Sequence, residues 1–155
     1  MRQKWRDALK KKKAVIRTSR LERTGWRDEK LSERHRRYGS NAPAVDLDFV
    51  LIEFDDCRPA AIVEYKHEKS RPQYITSPQF QVLINLANAA HLPAFAVRYA
   101  ADFSWWLVVP LNDEARKHLP ERKRMSEKEY VSLLYRVRGR TAPQSVLDGL
   151  NQDAI

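Results

Sequence analysis

Pro43-Ala-Val-Asp46-Leu-Asp48-Phe-Val-Leu-Ile-Glu-Phe-Asp55-Asp56-Cys57-Arg58-Pro59-Ala-Ala-Ile-Val-Glu64-Tyr65-Lys66-His67 reads as a β-hairpin, and the remaining elements fall into place around it. The first arm, Val45 to Phe54, is rich in β-branched, aromatic and aliphatic residues. The polar run Asp55 to Pro59 is a turn, and Ala60 to His67 is the second arm. Side chains alternate across a strand, so Asp46 and Asp48 share one face while Leu47, Phe49 and Leu51 take the other. Glu64 and Lys66 share a face with Ile62. Where the two acidic faces coincide, three carboxylates and one ammonium converge, and the repulsion among the carboxylates is relieved by a divalent cation. Mg²⁺ suits such a cluster, because it takes few carboxylate oxygens and fills its shell with waters and substrate phosphates. The alternative is a solvated hairpin face with ordinary surface charges. Against it stands the apolar run Ala60-Ala-Ile-Val63, which makes the second arm an interior strand, where charges are costly.

An acidic residue on one strand followed by Glu-x-Lys on its neighbour resembles the motif of the PD-(D/E)XK, or restriction-endonuclease-like, nucleases. Here the match is Asp48, then Glu64-Tyr65-Lys66 sixteen residues on. The resemblance implies an α/β fold in which helices flank a mixed β-sheet, and a catalytic set of Asp48, Glu64 and Lys66. It implies metal ligation by Asp48, Glu64 and the Val63 carbonyl, with Mg²⁺ as cofactor and Mn²⁺ as a substitute. Lys66 would orient the attacking water. Two departures stand out: Ala44-Val45 occupy the place of the common Pro-Asp pair, so Asp46 competes with Asp48 for the ligand role, and no first strand of the family's three-strand meander is legible before Asp46. Small stand-alone members of this kind are similar to phage or mobile-element proteins. Nucleic acid, with DNA as the expected form, is the implied partner, and a homodimer is compatible with two strands needing two sites.

The charge distribution agrees with a polyanionic partner. The chain carries a net charge of +9, and residues 1–40 hold 15 Lys or Arg against 5 Asp or Glu, so the whole excess lies before the hairpin. Basic side chains bind a phosphate backbone by releasing its condensed counterions. Lys10, Lys11, Lys12 and Lys13 form the densest run, with Trp5 available to stack on a base, although a solvated basic tail explains the four lysines equally well. The single Cys57 excludes an intrachain disulfide and a cysteine-based zinc cluster, and points to a reducing, cytoplasmic setting. No apolar run is long enough to span a membrane.

Along the chain, Trp26 to Tyr38 predicts a helix ended by Gly39. It carries Arg34, Arg36 and Arg37 as phosphate contacts, and Glu33, which is either an accessory carboxylate or the i+4 partner of Arg37. Ser77-Pro78 opens a largely buried helix reaching about His91, with Gln79 or Gln81 early enough to face the site if the resemblance holds. Ala94 to Tyr99 and Ser104 to Val109 read as strands, the first parallel to the Glu64 strand across the helical crossover. Asn112 to Leu119 reads as a short helix, and Ser126-Glu-Lys-Glu129 as a capping box that opens an amphipathic helix ended by Gly139. The expected organisation is a basic arm (1–25), one nuclease-like domain (26–138) and a polar tail (139–155). A Mg²⁺-dependent nuclease is the leading expectation. The alternatives are a non-catalytic nucleic-acid-binding protein and a degenerate nuclease fold serving as a scaffold.

Deleting residues 1–25 removes 10 Lys or Arg. Affinity for DNA and RNA, measured at two salt concentrations, is expected to fall, and the slope of log K against log salt to flatten by about 0.9 for each phosphate the arm would have neutralised. An unchanged slope would detach the basic arm from nucleic acid.

Overall fold

The structure, a computed structural model, describes residues 29–39, 41 and 43–150. The chain divides into two units, residues 1–44 and 45–155. In the first, α1 (Glu29–Arg36) is the described part of the predicted Trp26–Tyr38 helix, and Arg37 and Tyr38 continue as a turn. Gly39 follows at φ +90, the left-handed conformation expected of a residue that ends a helix.

The second unit is a five-stranded mixed sheet flanked by helices. Its elements are β1 (Phe49–Glu53), β2 (Arg58–His67), α2 (Pro78–Ala89), β3 (Ala94–Tyr99), β4 (Trp106–Pro110), α3 (Asp113–Arg116), β5 (Lys123–Met125), α4 (Glu127–Val137) and α5 (Gln144–Gly149). The strands lie in the order β1-β2-β3-β4-β5. The β2–β3 pair is parallel across α2, as the crossover requires, and the other pairs are antiparallel. No helix among the described residues is long and apolar enough to cross a membrane.

Several boundaries differ from the sequence expectation. The first hairpin arm is only Phe49–Glu53, because pairing starts at Phe49↔Val63 and residues 43–48 are irregular and exposed. Beyond Leu51↔Ala61 the register shifts to Ile52↔Pro59. Proline, having no N–H to give a ladder, is at home at such an irregularity. The predicted helix Asn112–Leu119 contracts to the single turn α3 before Pro120, and β5 is too short and too polar to read from Lys-Arg-Met. β1 and β2 form a two-strand hairpin among the described residues, where the resemblance implies a three-strand meander.

Strand alternation gives the sheet two apolar faces. On one, Ala61 and Val63 of β2, Phe95 and Val97 of β3 and Trp106 and Val108 of β4 pack against Tyr130 and Leu133 of α4. On the other, Ile62 and Ala94 meet Phe80, Leu83 and Ala87 of α2. Burying side chains of the Leu or Phe class is worth about 1.5–3 kcal/mol each, so these contacts hold α2 on the sheet far more firmly than its caps do. Ser77 contributes no side-chain cap bond. The capping box of α4 is present, with the Glu129 N–H donating to Ser126 Oγ and the Ser126 N–H donating to Glu129 Oε2. Buried Asn112 ties the sheet to the end of α2: its Oδ1 accepts the Ala94 N–H, and its Nδ2 donates to Asn88 Oδ1 and to the Leu92 carbonyl.

The segment after Gly139, expected to be a polar tail with little reason to order, is tied down at its start. Gly139 at φ +74 lets its own N–H reach the Arg136 carbonyl and the Arg140 N–H reach the Tyr135 carbonyl, which ends α4 in a Schellman motif. The turn aims Arg140 at Glu53. Arg140 Nη2 and Nε donate to Glu53 Oε1 and Oε2 at 2.8 and 3.1 Å, Arg138 stands 3.4 Å from the same carboxylate, and α5 follows. Glu53 is buried, and this clasp explains how.

The Arg140 hydrogen bonds hold the Glu53 carboxyl down at about 2, against an ordinary value of 4.5. A depressed carboxylate contributes stability that is present above its unfolded value and is lost as pH falls through its folded one. Glu53→Gln is therefore expected to melt earlier than wild type at neutral pH, and the gap should close between about pH 4.5 and pH 2. Thermal melts across that range check it, and a gap independent of pH would count against the clasp.

Candidate active site

The α2-side face of β2 carries two charges in an otherwise apolar strand. Ile62, Glu64 and Lys66 alternate toward α2, while Val63 and Tyr65 turn to the α4 side. Glu64 is 2% exposed. Lys66 Nζ donates to Glu64 Oε1 at 2.5 Å, and the lysine side chain is 23% exposed, so the pair opens to solvent at the lysine end. Taking a carboxylate out of water costs several kcal/mol even after relaxation, and one partly exposed ion pair returns about 1 kcal/mol or less. Lys66 alone does not offset the burial of Glu64.

Asp48 precedes β1, one residue beyond the Phe49↔Val63 pair, which sets it beside Glu64. Its Oδ2 accepts the Tyr65 N–H at 3.0 Å and so replaces the next ladder bond where β1 begins. Burial pushes the Glu64 carboxyl above the ordinary range, the Lys66 hydrogen bond opposes this, and the Asp48 charge adds to the rise. Glu64 Oε2 is buried and has no hydrogen-bond partner among the described residues. The arrangement is two carboxylates with a buried acceptor oxygen between apolar walls, and one ammonium at the rim.

These residues fit a hard divalent cation. Mg²⁺ is usually held by one or two carboxylates and completes its shell with waters and phosphate oxygens. Asp48 and Glu64 are two carboxylates of the kind such an ion takes. The expected convergence of three carboxylates is not seen: no group of three His, Cys, Asp or Glu side chains gathers as a metal cluster among the described residues. Asp46 lies in the irregular, exposed stretch before Phe49.

Of the two glutamines, Gln79 turns inward. Its Nε2 donates to Glu64 Oε1 at 3.3 Å, whereas Gln81 Nε2 donates to the Ile75 carbonyl at 2.9 Å and is committed to the loop before α2. Glu33, Arg34 and Arg36 are exposed on α1, with Arg37 in the turn after it, all in the first unit. Lys10, Lys11, Lys12 and Lys13 lie outside the described residues. Sequence reasoning passed over Arg71, Gln73 and Arg98. Arg98 stands across the parallel ladder from Lys66, and its Nη2 donates to the carbonyls of Glu68 and Ser70 at 2.6 and 2.7 Å. A lone arginine breaking the apolar strand Ala94–Tyr99 was the available signal, the same cue that singles out Glu64 and Lys66.

Set beside family models, curated proteins and solved structures, the chain matches none.

Asp48→Asn keeps an oxygen for the Tyr65 N–H and removes the charge that opposes Glu64. In chelator the variant is expected to melt no lower than wild type and up to about 1 kcal/mol more stably. Where Mg²⁺ raises the melting temperature of wild type, it should not raise that of the variant. A marked loss of stability in chelator would show that Asp48 is held by favourable contacts and not against repulsion.

Proposed function

We propose that this chain is a divalent-metal-dependent nuclease of the PD-(D/E)XK kind, hydrolysing phosphodiester bonds with DNA as the expected substrate. One observation carries the reading: Asp48, Glu64 and Lys66 meet on one face of the sheet, and Glu64 is buried there with one oxygen unpartnered. A structural ion pair needs no second carboxylate raising the cost, and perturbed carboxylates of this type gather at functional sites. Asp48, Glu64 and the Val63 carbonyl would hold Mg²⁺, or Mn²⁺ in its place, which would supply Lewis-acid polarisation of a phosphate oxygen. Lys66, whose ammonium lies against Glu64 at the solvent end of the pair, would donate to the attacking water and offset charge developing on the phosphate. Gln79 holds the Glu64 carboxylate from the helix side, and the apolar packing of α2 keeps bulk water from it.

The basic stretch of residues 1–40 supports nucleic acid as the partner, because phosphate contacts give affinity without reading sequence. Among the described residues the two-strand hairpin departs from the family's meander. The reading therefore rests on the side-chain constellation and not on the strand count.

Lys66→Ala removes the ammonium but neither carboxylate, so metal-dependent stabilisation should survive while cleavage falls about 100- to 1000-fold, as when one preorganised electrostatic group is lost. Glu64→Ala should abolish both, since saturation at 100 times Kd is worth about 2.7 kcal/mol only where a site exists. The assay is cleavage of single-stranded, duplex and branched DNA and RNA in Mg²⁺ or Mn²⁺, beside thermal melts with and without metal. Wild-type cleavage rates from Lys66→Ala would sink the mechanism, and binding without any cleavage would leave a nucleic-acid-binding protein.

A further inference from the structure

Beside Lys66, on the same face of the sheet, lies an open cleft of about 200 Å³. Among the described residues, three cations, Lys66, Arg71 and Arg98, border it together with Gln73, and no Asp or Glu lines it. Its floor is apolar: Ala96 of β3 with Leu107 and Val109 of β4. Ala96 is the ladder partner of Glu64, so the floor begins one strand away from the buried carboxylate. Arg98 spends its Nη2 on the carbonyls of Glu68 and Ser70 and thereby fixes the turn that delivers Arg71. Gln73 Nε2 stands 3.5 Å from Gln79 Oε1, and Gln79 reaches Glu64, which links the cleft wall to the carboxylate pair.

Size and chemistry narrow the occupant. An apolar cavity of about 150 Å³ accommodates one benzene ring, so this cleft has room for one nucleobase and not for a base pair. Its cations and lack of acids select an anion, and its apolar floor selects a flat ring. One ligand combining both is a nucleotide whose base is out of the stack. We propose that the cleft seats a single unpaired nucleotide next to the scissile phosphate, with the base on the Ala96, Leu107 and Val109 floor and the phosphate against Arg71 and Lys66. The substrate strand is then single-stranded or splayed where it is cut. This deepens the nuclease reading and rests on it.

The test uses the full chain and a single-stranded oligonucleotide, against a blunt duplex of the same sequence, with fluorescence anisotropy in Ca²⁺ and cleavage in Mg²⁺. Wild type should bind the single strand about ten-fold more tightly, the scale of one stacked base. Ala96→Leu fills the floor and Arg71→Ala removes an exposed cation, and each should erase that preference while duplex affinity changes by no more than about two-fold. Circular dichroism reports whether Ala96→Leu has folded, and Arg71, in an exposed loop, leaves the test standing if it has not. Equal affinity for the two forms in wild type, or a preference that survives Arg71→Ala, overturns the cleft. Cleavage of blunt duplex as fast as of single strand also overturns it while leaving the nuclease intact. A preference erased by both variants, with no cleavage of any substrate, supports the nucleotide seat and removes the nuclease.

Discussion

A carboxylate buried to 2% exposure in an interior strand must have its charge met by its surroundings, and the second unit is arranged around that demand at Glu64. β2 is covered on both sides, by α4 on one face and by α2 on the other, so Glu64 cannot turn away to water, and the pair meets solvent only at its lysine end. Lys66 and Gln79 both give hydrogen bonds to Oε1. Oε2 is left over, and Asp48 makes the local field more negative still. The contrast with Glu53 is instructive. There, two guanidiniums bring the charge within the protein's own means, and the carboxyl is depressed where that of Glu64 is raised. One buried carboxylate is a structural clasp, and the other is short of positive charge.

The packing divides the labour between the two faces of the sheet. On the α4 side, Tyr65, Trp106 and Tyr130 form an aromatic cluster, with Trp106 and Tyr130 stacked at 4.6 Å and the Tyr65 hydroxyl paired with that of Tyr130. That face is a packed core. On the α2 side the helix covers Ile62 and Ala94, while Leu107 floors an open cleft together with Ala96 and Val109 at the edge of that packing. The alternation that sends Tyr65 to the core sends Glu64 and Lys66 to the cleft side.

Much of this was legible in the sequence, for reasons that differ from residue to residue. Period-two alternation over Ile62, Glu64 and Lys66 placed two charges on one face, and the apolar run before them marked the strand as interior. Ser126 with Glu129, and the helix between two strands, announced the capping box and the parallel crossover because each depends on local chemistry or chain length. The start of β1 was not legible, because pairing begins only at Phe49, and just before it the Asp48 side chain takes the Tyr65 N–H in place of a backbone partner. Arg140 was invisible for a different reason. Its partner Glu53 lies 87 residues away, and no periodicity connects them. Arg71, Gln73 and Arg98 likewise meet only once β2 and β3 are in register.

The parallel crossover also sets the order in which the chain can finish its sheet. β2 pairs with β1 as soon as the hairpin closes, but its other edge waits for Ala94–Tyr99, which follow Lys66 by some thirty residues. At a synthesis rate of about 5–20 residues per second, that edge stands open for a second or more, with Ala60 to Val63 exposed on it. Open apolar edges recruit other strands, and inward-pointing charges are a common defence. Glu64 and Lys66 sit immediately after the apolar run. The same two charges set beside Asp48 in the finished fold thus also border the apolar edge that stands open in the nascent strand.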